Sequence, residues 1–431
     1  MTSAALAETL IERGIDPTEL DAKRDLFQLV LAGFERAAAR FPQHVWWVPG
    51  RLEVFGKHTD YAGGRTLICA LPRGFAVVAA PRRDGLVRVI DARSGDSVTL
   101  QPTTPTAALG GWHHYVEVVA QRLARNFPGH AISADVVIAS DLPPAAGMSS
   151  SSALMVGVAT ALIRVAGIDS SREWNANVKS PLDAAGYYAC IENGSAFGTL
   201  EGDAGVGTHG GSEDHAAILT GTAGHLSAMS FVPMRPIGRS RMPDDWRFVL
   251  ASSGIAAEKT GAALAPYNRL SEGTRLLLQV WNSQEAQAAS LGAALASSPQ
   301  AVDRLRDLVR GSTIAGWSSD ALTKRLDHFV REDARILEAL DAFSRGDRAR
   351  VAALAHDSQV DAETRLGNQV PETSSLARTA EALGAHGACS FGAGFGGSVW
   401  ALVDRSAANE FAPAWHRRAF VASPGPALTE L

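Results

Sequence analysis

The sequence predicts an α+β protein of two domains, and three observations carry that prediction. Its 431 residues exceed one ordinary core, because single domains cluster at roughly 100–200 residues. Strand-length apolar runs crowd the first third of the chain, whereas helical periodicity rules the last third. Between them, strands and helices do not alternate in the regular βαβ order of a parallel sheet. With 46% apolar and 20% charged residues, the composition is that of an ordinary globular chain.

Taken in order, Met1 to Arg13 sets Glu8, Glu12 and Arg13 among alanines and leucines. That predicts an amphipathic helix, without the basic start and long apolar run of a signal peptide. Leu26 to Arg40 has helical spacing and stops before Phe41-Pro42, since proline disfavours helix in the residue before it. A strand follows through Val45 to Val48. Thr66 to Ala80 is rich in β-branched and apolar residues and predicts buried strands; Val87 to Ile90 and Ser97 to Leu100 predict antiparallel edges joined by a polar turn. Ala153 to Val165 and Asp183 to Ile191 turn helical. Prolines and arginines between Pro233 and Asp245 interrupt the pattern and mark the domain junction. Beyond it, Thr274 to Ala296, Ala321 to Arg345 and Arg348 to His356 predict long helices.

Charge and cysteine usage exclude several classes of function. Forty basic against 45 acidic residues leave a formal charge of −5, so no global positive field draws the chain to nucleic acid or to anionic lipid. Any phosphate site must be local. No stretch approaches the roughly 20 consecutive apolar residues that span a bilayer, which predicts no membrane association. Cys69, Cys190 and Cys389 are odd in number and far apart, against both a disulfide framework and a zinc cluster. A reducing, cytoplasmic compartment is the expectation.

Three segments concentrate chemistry. The first, Val48-Pro49-Gly50-Arg51-Leu52-Glu53-Val54-Phe55-Gly56-Lys57-His58-Thr59-Asp60-Tyr61-Ala62-Gly63-Gly64, packs ionisable side chains between an apolar strand and a glycine pair, the make-up of a binding site. In the second, Asp141 to Leu154, a strand ends, a small-residue loop follows, and a helix opens at the serines Ser149 to Ser152. Small residues admit a phosphate close to the backbone, and the free N–H groups and dipole of a helix start favour negative charge. Serines at that place also serve as ordinary caps of a core helix. The third runs from Ala388 to Val403, where Gly392, Gly394, Gly396 and Gly397 form a turn before an apolar strand. It does not open a helix inside a βαβ unit, so a dinucleotide-binding reading fails on context.

In order and spacing these segments resemble the three signatures of the galactokinases, within the kinase superfamily that also phosphorylates homoserine, mevalonate and phosphomevalonate. The first resembles apolar-Pro-Gly-Arg with Gly-x-His-Thr-Asp-Tyr-x-Gly-Gly, except that Lys57 stands where galactokinases have Glu. The second resembles the phosphate loop, with Ala145 in place of its first glycine. Gly111-Trp112-His113-His114-Tyr115-Val116 is similar to the Trp-x-x-Tyr element and Pro266-Tyr267-Asn268-Arg269 to Tyr-Asn-x-Arg. His328 to Arg335, Gly346-Asp347 and Val370-Pro371-Glu372 follow the galactokinase C-terminal half. The resemblance implies a two-domain GHMP kinase architecture. An N-terminal ribosomal-protein-S5-like domain would span residues 1–235, and a C-terminal ferredoxin-like domain residues 236–431.

The resemblance also implies a small sugar as substrate and ATP with Mg²⁺ as cofactors. ATP phosphates would rest on Ala145, Ala146, Gly147, Met148, Ser149, Ser150, Ser151 and Ser152, with Ser151 and Glu192 toward the metal. Gly210-Gly211-Ser212-Glu213-Asp214-His215 is similar to the galactokinase Cys-Gly-Ile-Met-Asp-Gln. That makes Asp214 the catalytic carboxylate and Arg51 its companion. A carboxylate accepts the proton of the attacking hydroxyl, and a guanidinium stabilises charge on the attacking oxygen and the phosphoryl group. A purely structural Arg–Asp ion pair is the plainer reading. Neighbouring Glu213 points away from Asp214 if the segment is extended, whereas a helical segment leaves both acids near one another.

Sugar contacts are implied for Lys57, His58, Asp60, Gly211 and Tyr267. The resemblance implies a galactose-type monosaccharide phosphorylated at its anomeric C1 hydroxyl. Lysine is a donor-only cation, so the alternative is that Lys57 reads an anionic substituent, as in a uronic acid 1-kinase, against a simple pairing with Glu53 or Asp60. Galactokinase-like chains also include sugar sensors that lack an intact Ser-Ala pair in the phosphate loop. Ser152-Ala153 is intact here, which implies a working enzyme that forms a sugar 1-phosphate.

Overall fold

The computed structural model of the chain describes residues 2–104, 109–144, 146–256 and 264–431. Helices α1 (Ser3–Glu12) and α2 (Leu20–Ala38) precede strands β1 (His44–Phe55), β2 (Arg65–Pro81), β3 (Val87–Asp91) and β4 (Ser97–Leu100). Then come α3 (Trp112–Asn126), β5 (Ala134–Ser140), α4 (Ser150–Val165), α5 (Arg172–Asn177), α6 (Pro181–Asn193), α7 (Glu213–Thr220), β6 (His225–Ser230) and β7 (Arg235–Arg241). The remainder opens with β8 (Trp246–Ser252) and continues through α8 (Leu264–Gln284), α9 (Leu291–Leu295), α10 (Ala301–Arg310), α11 (Ser319–Arg345), α12 (Arg348–Asp361) and α13 (Pro371–Ala382). It closes with β9 (Gly387–Phe391), β10 (Ser398–Asp404), α14 (Ala408–Trp415), β11 (Phe420–Ala422) and β12 (Thr429–Glu430). None of the described helices is long and apolar enough to cross a membrane.

One sheet runs β12-β1-β2-β5-β3-β4, with β6 on β2 and β7 on β6. Its β3–β5 pair is parallel and the others antiparallel. The second sheet runs β11-β8-β10-β9, antiparallel throughout. α4 and α6 pack in the large core beneath the first sheet, and that core continues through Trp246, Phe343 and Trp400 into the second. A separate apolar cluster unites α8 to α11 and reaches Ala62 beside the first segment singled out above.

The local chemistry explains the key departures from regularity. β2 continues through Pro72, which lacks a donor, because the register with β1 jumps between Pro49 and Arg51; proline is tolerated at such a bulge. A second jump lies between Glu53 and Phe55. Between the two, Leu52 and Val54 enter the core, so alternation turns Arg51 and Glu53 together to the other face. The helix expected over Thr274 to Ala296 is in fact broken after Gln284. Asn282 bends the chain by donating to Ala288 O (3.1 Å) and accepting from Ala288 N–H (2.8 Å), and Ser290 caps α9 by accepting from Ala293 N–H at 3.1 Å.

Trp400 couples the sheets. Fully buried on β10, it meets Phe55 of β1 and Phe248 of β8 edge-on, at centroid separations of 5.7 and 5.6 Å, and its indole N–H donates to Val54 O at 3.2 Å. Trp400→Ala should lower stability by about 3–5 kcal/mol, read as a shift in the denaturation midpoint; a shift within experimental error would remove Trp400 from this role.

Candidate active site

Four pieces of chain converge where β1 meets the second sheet. β1 supplies Arg51 and Glu53, and the loop after it supplies His58, Asp60 and Tyr61. The start of α7 supplies Glu213, Asp214 and His215, and the loop between β9 and β10 supplies Gly392 and Ala393. These residues line one pocket together with Glu192, Gly210, Gly211 and Tyr267. Alongside it lies a cavity of about 500 Å³ bounded by the phosphate loop, including Ala146, Gly147 and Ser149 to Ser151, and by Phe75, Trp112 and Tyr115. Arg51, Asp214 and Ala393 belong to the walls of both.

Arg51 holds the junction. Its Nε lies 2.7 Å from Asp214 Oδ1 and its Nη2 3.1 Å from Glu213 Oε1, while Nη1 donates to Gly147 O at 2.8 Å. Its own N–H donates to Met148 O at 3.2 Å. Burial disfavours the guanidinium charge, but Asp214, Glu213 and Glu53 overcome that and raise its pKa above the ordinary arginine value. α7 begins at Glu213, so the helical alternative holds and both acids face Arg51.

Each remaining contact follows from local geometry. Asp60 accepts from the Glu213 N–H at 3.1 Å, so its negative charge sits at the start of α7. Its carboxylate presses on Gly211 so closely that a Cβ there would lie 1.9 Å from Oδ2; no other residue type fits. His58 takes a left-handed backbone with φ 56°. Its Nε2–H donates to Ala393 O at 3.0 Å and its Nδ1 accepts from the Tyr61 hydroxyl at 2.9 Å. The His58 and Tyr267 rings lie 5.5 Å apart. The glycine loop is bound to the phosphate loop as Ser398 Oγ donates to Ala146 O at 2.7 Å. Its bend demands glycine at 396, where φ is 130° and a Cβ would lie 2.6 Å from Ile255 O.

Of the phosphate-loop residues, Ala145 lies outside the described residues. Ser149 and Ser150 carry buried hydroxyl oxygens without a partner among the described residues, as a site awaiting an anion requires. Ser151 lines the larger cavity, whereas Glu192 lines the pocket. The serine that bonds Glu192 is Ser152: its hydroxyl lies 2.8 Å from Glu192 Oε2 and 3.2 Å from Asp214 Oδ2, and His215 Nε2 stands 3.3 Å from Glu192. Gly392 borders the pocket, while Gly394, Gly396 and Gly397 shape the loop behind it.

Lys57 requires a correction. The expectation that it faces an anionic substituent fails, because its side chain turns away from the pocket and is only 1% exposed. Its ammonium donates to Ser358 Oγ at 2.7 Å and Cys389 Sγ at 2.9 Å, with Glu332 at 4.0 Å. The alternative pairing with Glu53 or Asp60 is not the contact formed either. Burial pulls the lysine pKa down, and Cys389, Glu332 and Glu53 more than offset this, so the ammonium stays charged. Glu332 would be pushed up by burial, yet Lys57, Arg335 and the Gly56 N–H hold it below the ordinary value.

The residue that does face the pocket from this strand is Glu53, which the sequence reading did not assign. Its signal was the Arg51–Glu53 spacing of two within a strand, which places both on one face. Burial raises the pKa of Glu53, and burial with nearby Glu53 lifts Glu213 well above the usual carboxylate range.

This fold and site define a GHMP kinase. The chain matches the GHMP kinase N-terminal domain over residues 114–188, the GHMP C-terminal region over 338–422 and the galactokinase galactose-binding signature over 32–81. It is 30% identical over 385 residues to a galactokinase of Roseiflexus sp. (strain RS-1), covering 86% of this chain and 88% of that one. A galactokinase of Chloroflexus aggregans is 29% identical, with 90% and 92% covered. The crystal structure of Lactococcus lactis galactokinase complexed with galactose shares the fold at a TM-score of 0.73 and 24% identity, covering 94% of this chain and all of that one. Methanococcus jannaschii mevalonate kinase shares it at 0.56, with 88% and 98% covered. The chain belongs to the galactokinase family, and it is an ATP-dependent sugar kinase acting at C1.

Two outcomes follow from the electrostatics. Lys57→Ala should cost about 3 kcal/mol, toward the low end for opening a buried ion pair because Arg335 still holds Glu332, and should leave the ratio of uronate to neutral hexose turnover unchanged; a changed ratio would return Lys57 to the sugar site. Glu213 has a folded pKa above the ordinary 4.5, so above that pH the native state retains a proton the unfolded chain gives up. Native stability is therefore lost as pH rises toward the folded pKa. Glu213→Gln removes this loss, and its melting temperature relative to wild type should climb as pH rises above 4.5; parallel melting curves would contradict the assignment.

Proposed function

We propose that this enzyme phosphorylates the anomeric hydroxyl of a galactose-type monosaccharide, with Asp214 and Arg51 as its catalytic pair. One observation carries the proposal: both residues stand in the wall that the acid-lined pocket shares with the cavity over the phosphate loop. A hydroxyl in the pocket is thereby aligned with a phosphoryl group in the cavity, and alignment supplies much of such a reaction.

In this reading Phe75, Trp112 and Tyr115 provide an apolar bed for the nucleotide base, and the N-terminus of α4 faces its phosphates. His58, Asp60, Gly211 and Tyr267 hold the sugar. Asp214 accepts the proton of the attacking hydroxyl, and Arg51 stabilises charge on the oxygen as it bonds to phosphorus. ADP leaves and a sugar 1-phosphate remains. Glu192 and the serine hydroxyls are hard oxygen donors that suit Mg²⁺ completed by phosphate oxygens, and the metal would neutralise charge on the nucleotide. The pocket segment and phosphate loop belong to residues 1–235 and the glycine loop to 236–431, a division proposed here as one of function. Three cysteines unpaired in this structure support a reducing, cytoplasmic setting.

Asp214→Asn should lower turnover by about 10²–10⁴-fold while nucleotide binding persists. ADP release with galactose and nucleotide titration of the same variant measure the two; near-normal turnover would remove Asp214 from its role.

A further inference from the structure

The pocket in which Arg51 and Asp214 stand encloses about 30 Å³, whereas a space that takes up a whole small molecule measures roughly 300–1,000 Å³. Room for a substrate must come from what adjoins it. On one side lies the phosphate-loop cavity, which the nucleotide occupies in the kinase reading. On another lies a third cavity of about 680 Å³, bounded by α6, α8, α9 and the loop after β6. Asp60, Tyr61, Gly210 and Gly211 line both the pocket and this third cavity. Among the described residues none lines both the third cavity and the phosphate-loop cavity, so the pocket stands between the two. The wall it shares with the third cavity is thin. Gly210 has no side chain where a Cβ would meet the Tyr267 hydroxyl at 3.0 Å, and Ser212 next to Gly211 is small. The galactokinase pattern has Cys and Ile at these two positions, and both would narrow the opening.

The lining of the third cavity narrows what enters it. Half-buried Phe197, Met234 and Leu278 give it apolar faces. Ser271 and Thr274 donate their hydroxyl protons to Asn268 O at 2.9 Å and Ser271 O at 2.8 Å, so they offer a ligand lone pairs and no proton. Glu272 and Arg275 stand 3.8 Å apart and offset each other's charge, and Asp60 is engaged by the Glu213 N–H. This wall therefore does not call for an ionic group. A neutral occupant with hydroxyl donors for the serine and threonine, and a C–H face to lie on an aromatic ring, is a second sugar ring.

Resting on the kinase reading and narrowing its substrate, we infer that the sugar phosphorylated here is the reducing end of a disaccharide whose second ring lies in the cavity between α6 and α8. The third cavity opens beyond Asp60 and Gly211, on walls that Asp214 does not share. With C1 at Asp214, the linkage leaves from a ring carbon remote from C1, and C4 lies directly across the ring. The chemistry at C1 is unchanged: its oxygen bonds phosphorus, ADP leaves, the proton passes to Asp214, and the glycosidic bond stays intact. Contacts made by the second ring, away from the reacting atoms, raise kcat/KM. The test measures ADP release on galactose and on the 3-, 4- and 6-linked galactosyl-galactoses. Wild type should favour the 4-linked disaccharide over galactose by about tenfold or more in kcat/KM. In Leu278→Trp and in Met234→Trp, which fill the cavity and are checked for native melting, that ratio should fall by about the same factor. The wild-type ratio alone decides the matter if either variant fails to fold. Galactose turned over as well as or better than every disaccharide would overturn this inference and leave the kinase reading standing; silence on all four sugars would overturn both. A disaccharide preference that survives both substitutions would remove this cavity as its source.

Discussion

The site depends on one buried cation. Arg51 donates through its side chain to the phosphate loop at Gly147 and through its backbone to Met148, and it pairs with Asp214 and Glu213 at the head of α7. Three segments distant in sequence thus take their position from one planar guanidinium, whose fixed fork of donors cannot be satisfied by a single partner. Lysine, a point charge on a flexible stem, would hold at most part of that geometry. The register jump after Pro49 leaves the alternation of β1 intact: Pro49 pairs with Gly74 and Arg51 with Ala70, so the extra residues lie on β2 around Pro72.

Under this layer lies a second set of buried charges. Glu332 on α11 accepts from the Gly56 N–H at 3.0 Å and pairs with Arg335 at 2.6 Å, and Arg335 in turn meets Asp361. Lys57 and Ser358 close the set. The loop that presents His58 and Asp60 is therefore fastened from behind to the helices of the second half. A buried pair of this kind adds little net stability, since desolvation offsets attraction. What it supplies is a fixed position for a backbone that must hold His58 in a left-handed conformation.

Much of this was legible in the sequence, and the failures share a cause. Helices α2, α4, α6 and α11 and strands β1 to β4 follow from period and from proline placement. The three chemical segments follow from their composition. Lys57 and Glu53 were misjudged as a pair, because a charged residue beside His58 reads as a ligand contact until the neighbours that bury it are known. Those neighbours, Glu332, Ser358 and Cys389, come from sequence positions hundreds of residues away, and no local pattern announces them. The break after Gln284 was missed because Asn282 and Ser290 are common on helix surfaces, and the turn they make depends on tertiary packing.

The acid pair beside Arg51 is where the chain departs furthest from what stability alone would select. Two carboxyl groups facing each other in a pocket lose hydration, and one guanidinium already shared with Asp214 cannot compensate both. Elsewhere the same protein handles buried acids differently: Glu332 and Asp361 each have cationic partners within the fold. Glu53 and Glu213, by contrast, share one arginine, which stands 3.1 Å from Glu213 and 4.0 Å from Glu53. Carboxyl groups whose pKa values burial raises, set beside the Arg51–Asp214 pair in one pocket, are the pattern expected of a functional site.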